Sequence, residues 1–165
     1  MNSGEILYSE GKMTEVNASR LKEVLEQLPF DNKDILLCGG VVKYIFGIKD
    51  YYEDIDIIVK EDFDINTIKE KYILNVNMYG GLRIKYKDKE IDLWKLENHI
   101  IPCKTFDEVQ ETWLLSNSAI YYDVANDKLY NKYYNENIQI NFGREIKPIE
   151  KDYINIKLRS WNVKV

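Results

Sequence analysis

Two aspartates stand one residue apart in an apolar segment, and a third stands in a similar segment further along the chain. Asp54 and Asp56 lie in "EDIDIIVK", and Asp92 lies in "EIDLWKL". Alternate residues of a strand share a face, so Asp54 and Asp56 point the same way. Converging carboxylates are usual ligands of Mg²⁺, a hard cation that prefers oxygen. The pattern predicts a site for two Mg²⁺ ions, or Mn²⁺, on these three aspartates; the simpler interpretation is a solvated face of an edge strand.

A glycine pair precedes the aspartates in the segment "LLCGGVVKYIF". A strand that runs through Gly39 and Gly40 into a helix lets backbone N–H groups approach a phosphate closely. Lys43, one helical turn further, is placed to add positive charge for a triphosphate. The alternative interpretations are a tight strand-to-helix turn and a solvated lysine.

Hydrophobic periodicity predicts the elements that must position these groups. Helices are expected in "SRLKEVLEQLP", "GGVVKYIFG", "DINTIKEKY", "TFDEVQETWLL" and the terminal "EKDYINIKLRSWNVKV". Strands are expected in "DILLC", "EDIDIIVK", "LNVNMY", "LRIKYK" and "EIDLWKL", with "KDK" as a tight turn between the last two. "AIYYDVANDKLYN" suggests a strand, a turn and another short element. The outline is α/β (α+β), with a mixed sheet of about five strands flanked by helices.

Length, composition and charge narrow the class of protein. A chain of 165 residues favours a single domain, 1–165, with a genuine core. The longest apolar runs are too short to span a membrane, and the N-terminus has no secretion signal, so a cytoplasmic location is expected. A net charge of −5 without a Lys/Arg block argues against strong nucleic-acid binding. With His99 as the single histidine, a histidine-based metal site or Ser-His triad is improbable.

Taken in chain order, these motifs resemble the nucleotidyltransferase superfamily. The closest likeness is to the head domain of the CCA-adding enzyme and bacterial poly(A) polymerase family. "CGGVVK" is similar to the family's Gly-Gly-x-Val-Arg-Asp helix start, and "DID" to its Asp-x-Asp metal pair. "YGGLRIKY" loosely matches its Gly-Thr strand, and the third acid falls on Asp92. "LSNSAIYYD" is similar to its Phe-Thr-Ile-Asn-Ala-Leu-Ala-Tyr-Asp segment, and "IEKDYINIKLRSW" to its Glu-Asp-x-x-Arg region.

The resemblance implies a nucleotidyltransferase fold and a Mg²⁺-dependent transfer of an NMP from an NTP to an acceptor hydroxyl, with release of pyrophosphate. Asp54, Asp56 and Asp92 would bind the ions, with Asp92 close to the acceptor hydroxyl. Gly39 and Gly40 would seat the β- and γ-phosphates and Lys43 would help to neutralise them. The likeness further implies nucleotide-binding positions at Ser118 and Asp152.

Several positions depart from the family's pattern. Lys43 and Tyr44 replace the family's Arg and Asp, Ser118 replaces its Asn, Asn155 replaces its neck Arg, and Thr112, Trp113 and Leu114 replace its Arg-Arg-Asp. These are triphosphate-binding and base-reading positions, so the family's ATP and CTP specificity does not carry over. A single domain without the family's neck, body and tail is expected, and the acceptor is a small molecule, a protein side chain or an RNA end.

Two other classes of function compete with the enzyme. One is a catalytically inactive module of this fold that binds a nucleotide or a protein partner, which the missing basic residues favour. The other is an interaction protein in which the Asp-x-Asp is incidental. Among the remaining polar residues, Arg83 and Arg144 are expected at the surface. His99 is a candidate proton acceptor beside Asp92. Trp94 lines either the pocket or the core.

Overall fold

The computed structural model describes residues 13–161, except for the side chain of Ile73. This part of the chain contains helices α1 (Glu15–Glu26), α2 (Gly40–Ile45), α3 (Asn66–Tyr72), α4 (Phe106–Val109) and α5 (Pro148–Ser160). Its strands are β1 (Ile35–Cys38), β2 (Asp54–Val59), β3 (Ile73–Val76), β4 (Leu82–Tyr86), β5 (Lys89–Lys95), β6 (Tyr121–Asp123) and β7 (Lys128–Tyr130). The mixed α/β class is confirmed.

The sheet has seven described strands where the sequence indicated about five. The additional pair, β6 and β7, comes from "AIYYDVANDKLYN", whose two strands are only three residues each. Runs this short carry too little alternation to be distinguished from a loop. Residues 1–12, for which no secretion signal is predicted, lie outside the described residues. Residues 162–165, predicted as the last part of the terminal helix, lie outside them as well.

All seven strands form one sheet in the order β3-β4-β5-β2-β1-β6-β7. Strands β2 and β5 run parallel, and the other neighbouring pairs are antiparallel. The parallel pairing places Asp56 directly opposite Asp92, and the antiparallel pairing with β1 places Cys38 opposite Asp56. The carboxylates of two distant segments therefore meet in the middle of the sheet.

Helices α1, α2 and α3 cover one face of the sheet. α1 begins where the Thr14 hydroxyl accepts a hydrogen bond from the Asn17 N–H, at 3.1 Å, and it buries Val24 completely. Beneath the helices, the inward residues of β2 are Ile55, Ile57 and Val59, none of them exposed. Each such side chain contributes about 1.5–3 kcal/mol through its burial. This face forms the main hydrophobic core.

The opposite face is apolar at one end only. There Leu36, Ile58 and Trp94 pack with Phe106 and Val109 of α4 in a second, smaller cluster. Asp54, Asp56 and Asp92 occupy the same face nearer the other end, because residues two apart on a strand share a face. The uncovered end of this face is where the cavity described below opens.

Gly81, in the turn before β4, lies against the backbone of β5. A Cβ atom there would approach the Leu93 carbonyl oxygen to 2.0 Å, so the position accepts only glycine. The "YGG" segment thus permits the close approach of β4 to β5. Within residues 13–161, none of the helices has the length and apolar character that crossing a membrane requires.

Candidate functional site

A cavity of about 910 Å³ opens at the uncovered end of the sheet. Its floor is formed by the ends of β1 and β2, and its walls by the Gly39–Gly40 turn, the segment 112–118 and helix α5. A volume near the upper end of the usual range for ligand pockets accommodates a nucleotide-sized molecule. Asp54 and Asp56 line it, and Asp92 lies beside them on the neighbouring strand.

The three aspartates crowd one another. Burial, together with the negative charges of Asp92 and Asp54, raises the pKa of Asp56 to about 7. The pKa of Asp54 is raised as well, by burial and then by Glu90 and Asp92. A group of carboxylates that raises the pKa of its own members favours a cation, and its all-oxygen donor set suits Mg²⁺ or Mn²⁺.

Arg83 on β4 lies opposite Asp92 and holds its carboxylate with both arms of the guanidinium. The Arg83 Nε donates to Asp92 Oδ1 at 3.0 Å, and Nη2 donates to Oδ2 at 3.1 Å. Both Asp92 oxygens are therefore occupied by a cation supplied by the chain itself. Within residues 13–161, no three His, Cys, Asp or Glu side chains converge as a ready-made metal site. The carboxylates fit the ion by chemistry and by strand register, with Asp92 engaged by Arg83.

The glycine pair forms the predicted strand-to-helix turn. Gly39 has a φ of +68°, a conformation that favours glycine, and its N–H donates to the Ile120 carbonyl at 3.0 Å. A Cβ atom added at Gly39 or Gly40 would meet nothing within 4 Å. The backbone here borders open cavity, and the role of both glycines in seating phosphates stays a prediction.

Lys43 is buried in the cavity wall rather than solvated. Its Nζ forms an ion pair with Glu136 Oε1 at 2.8 Å and lies 5.4 Å from the centre of the Tyr134 ring. Burial lowers the pKa of the Lys43 ammonium, and the Glu136 carboxylate partly offsets that effect. The predicted triphosphate cation is thus already paired with a carboxylate.

The two positions taken from the resemblance alone lie in different surroundings. Ser118, half-buried at the end of a short 3₁₀ turn, lines the cavity. Asp152 on α5 is exposed and is not among the cavity-lining residues. The structure brings Ser118 to the site with Asp54 and Asp56 and leaves Asp152 outside it.

Helix α5 supplies a cation that the sequence did not single out. Lys157 lines the cavity, with its Nζ 5.6 Å from the centre of the Tyr153 ring, and it forms no ion pair within the described part of the chain. Its charge counteracts the rise in the pKa of Asp56. The signal was the helical spacing that places Lys157 one turn after Tyr153, on the same side of the helix.

Arg144 holds α5 in place, so its expected surface role is wrong. Its guanidinium donates to the Glu150 carboxylate through both terminal nitrogens, and its Nε donates to the Trp113 carbonyl at 3.2 Å. The two side chains are only 11% and 4% exposed. A buried, bidentate pair joins the segment before α5 to the first turn of that helix.

His99 has a structural role. Its Nδ1 accepts from the Trp94 indole N–H at 3.1 Å, and its Nε2 lies 2.8 Å from the Thr112 hydroxyl oxygen. Because that hydroxyl donates to the Val109 carbonyl, His99 Nε2 carries the proton and the ring is fully bonded. Burial, reinforced by Arg144, lowers the pKa of His99 to about 4. It stays neutral and does not serve as a proton acceptor for Asp92.

Two aromatic side chains and one amide complete the wall. Trp94, 5% exposed, stacks on Tyr79 with the ring centres 4.4 Å apart, so it both packs and lines the cavity. Asn117, also cavity-lining, is 8% exposed, and its Oδ1 receives no hydrogen bond within the described part of the chain. Sequence reasoning passed over Asn117, whose neighbours give it no distinctive pattern.

Comparison of the chain with models of known protein families, with curated proteins and with solved structures found no match. The functional argument therefore depends on the residues of the cavity themselves.

Proposed function

We propose that the protein is a Mg²⁺-dependent nucleotidyltransferase that transfers an NMP from an NTP to an acceptor hydroxyl and releases pyrophosphate. One observation carries the proposal: the in-register parallel pairing of β2 and β5 sets Asp56 beside Asp92 at the mouth of a nucleotide-sized cavity. Without a bound cation this clustering of carboxylates only raises the pKa of Asp56 and lowers the stability of the fold.

The residues in and beside the cavity have distinct roles in the proposed reaction. Asp54, Asp56 and Asp92 would hold two Mg²⁺ ions, which when bound would polarise the α-phosphate and lower the pKa of the acceptor hydroxyl. The Gly39–Gly40 backbone and Ser118 border the space for the nucleotide, and Lys157 offers a cation to its phosphates.

The acceptor oxygen forms a bond to the α-phosphorus as the bond from that phosphorus to the α,β-bridging oxygen breaks. The pyrophosphate carries away the electron pair, and the hydroxyl proton passes to Asp92. Asp92 can accept it once its carboxylate is released from Arg83, which occupies both oxygens in this structure.

A second candidate function is a module of this fold that binds a nucleotide or a protein without catalysis. Two contacts favour it: Lys43 is paired with Glu136, and Asp92 is paired with Arg83. Both groups would have to exchange partners before they could serve a substrate. Binding without transfer distinguishes this function from the enzyme.

The test is incubation with Mg²⁺ and each α-labelled NTP in the presence of total RNA and of cell extract. We expect label on an acceptor and release of pyrophosphate, both lost in Asp54→Asn/Asp56→Asn. The matched control is Glu61→Gln/Asp62→Asn, which removes the same charge from exposed positions outside the cavity and should retain transfer.

The remaining outcomes decide between the two functions. Nucleotide binding without transfer, unaffected by the Asp54→Asn/Asp56→Asn change, identifies the non-catalytic module. If no NTP binds and no label moves with any acceptor, the nucleotidyltransferase proposal is wrong.

A further inference from the structure

Arg83 is a cation paired directly with one of the predicted metal ligands, and its position is set by the sheet. It lies directly opposite Asp92 in the β4–β5 pair, and its guanidinium is bound by both Asp92 oxygens at 3.0 and 3.1 Å. The hydrogen bonds and the charge of Asp92 raise the pKa of Arg83, and the negative charges of Glu90 and Asp54 raise it to a smaller extent. Arg83 is thus an internal counter-ion for the acidic end of the sheet.

The Arg83–Asp92 ion pair is partly exposed and can dissociate at low cost. The Arg83 side chain is 46% exposed and that of Asp92 is 15% exposed, so water competes for the guanidinium. Exposed ion pairs contribute little to stability, because solvent screens them and two side chains must be held in place. The Arg144–Glu150 pair, by contrast, is buried on both sides. Of the two bidentate arginines, only Arg83 can change partners at low cost.

We infer that Arg83 exchanges Asp92 for the phosphates of an incoming nucleotide, and thereby couples divalent-cation binding to nucleotide binding. The inference rests on the proposed function and identifies Arg83 as a positioning residue for it. Without nucleotide, the guanidinium competes with the metal for Asp92 and weakens metal binding. With nucleotide, the triphosphate supplies the oxygens that a guanidinium fork binds well, and Asp92 is freed for the ion.

This exchange predicts effects of opposite sign for one substitution. Removal of the guanidinium in Arg83→Gln should strengthen the binding of Mn²⁺ alone, since a competing cation is lost. The same change should weaken the binding of the Mn²⁺–nucleotide complex, since a phosphate contact is lost. We expect about fivefold in each direction, at the lower end of the usual range for coupled sites.

The experiment measures both affinities on the full chain. Mn²⁺ binding alone is followed by electron paramagnetic resonance, and binding of the α,β-methylene analogues of the four NTPs by calorimetry at saturating Mn²⁺. The matched control is Lys85→Gln, on the same strand and the same face two residues away, which should change neither affinity. Arg83→Lys, which keeps the charge without the fork, should fall between the wild type and Arg83→Gln.

Each outcome has a defined meaning. If the wild type binds both probes and Arg83→Gln shifts both affinities in the same direction, or neither, the exchange is wrong while the proposed function stands. If the wild type binds neither Mn²⁺ nor any analogue, the proposed function itself fails and takes the exchange with it. A melting temperature close to that of the wild type confirms that the variants are folded.

Discussion

The two faces of the central sheet are formed by the same strands but are stabilised in opposite ways. On β2, Ile55 and Ile57 enter a face covered by three helices, whereas Asp54 and Asp56 enter the face that carries the cavity. The helical face gains free energy from burial, and the cavity face loses some by gathering like charges. Such a cost is typical of a binding site, where groups are arranged for a ligand rather than for one another.

Among substitutions that test the two faces, the largest loss of stability is expected on the face covered by helices. Ile57→Ala should lower the free energy of unfolding by about 4 kcal/mol, because it leaves a cavity in a fully buried position. Denaturant unfolding of the variant measures the loss. A decrease below about 1 kcal/mol would mean that this face is not the principal core.

The cavity face should show its own, smaller dependence on one ion pair. Arg144→Met should cost about 3 kcal/mol, because it leaves the buried Glu150 carboxylate without its partner. The double variant Arg144→Met/Glu150→Gln should recover much of this loss, since no buried charge is then unpaired. Both values come from denaturant unfolding at neutral pH. An equal loss in the single and double variants would show that packing, not charge, governs this contact.

The smallest effect is a gain in stability at the predicted metal ligands. Because the folded-state pKa of Asp56 is raised to about 7 from an ordinary value of 3.8, the folded state binds more protons than the unfolded state between those values. The free energy of unfolding should therefore fall as the pH rises from about 4 to about 7. Asp56→Asn should remove this slope and stabilise the metal-free protein at pH 8. The net gain should be about 1 kcal/mol, less than the pKa shift alone corresponds to, because the buried amide also has a desolvation cost.

Thermal melts of wild type and Asp56→Asn across that pH range, in the presence of a chelator, measure the slope. The exposed Asp62→Asn serves as the control and should follow the wild-type curve. A wild-type slope that survives in Asp56→Asn would assign the titration to another carboxyl group.

Much of the fold could be predicted because its elements carry strong local patterns. Three local patterns predict elements that the structure contains: the apolar runs of β1 and β2, the Gly-Gly turn before α2, and the helical spacing of apolar residues in α1. The site's acids were identified for the same reason, since an aspartate in an apolar strand is conspicuous. Asp92 was grouped with Asp54 and Asp56 as a further aspartate in an apolar strand. Its register directly opposite Asp56 could not be predicted, because parallel pairing with a distant segment leaves no local signal.

Other features depend on information that local patterns do not carry. Glu136 and Arg144 lie in the largely irregular stretch between β7 and α5, where periodicity is absent, so their partners could not be predicted. Arg83 is different. A two-residue "KD" turn closes the hairpin of β4 and β5, and counting back from it places Arg83 opposite Asp92. That contact was available in the sequence and required only that the hairpin register be counted.

The hairpin of β4 and β5 also has a consequence for how the chain folds. Its strands are adjacent in sequence, so it closes on the microsecond scale of local hairpins, before the distant β2 can pair with β5. We therefore expect Arg83 to neutralise Asp92 before β5 pairs with β2. The two acidic strands can then pair without a divalent ion, so the assembly of the sheet does not depend on prior metal binding.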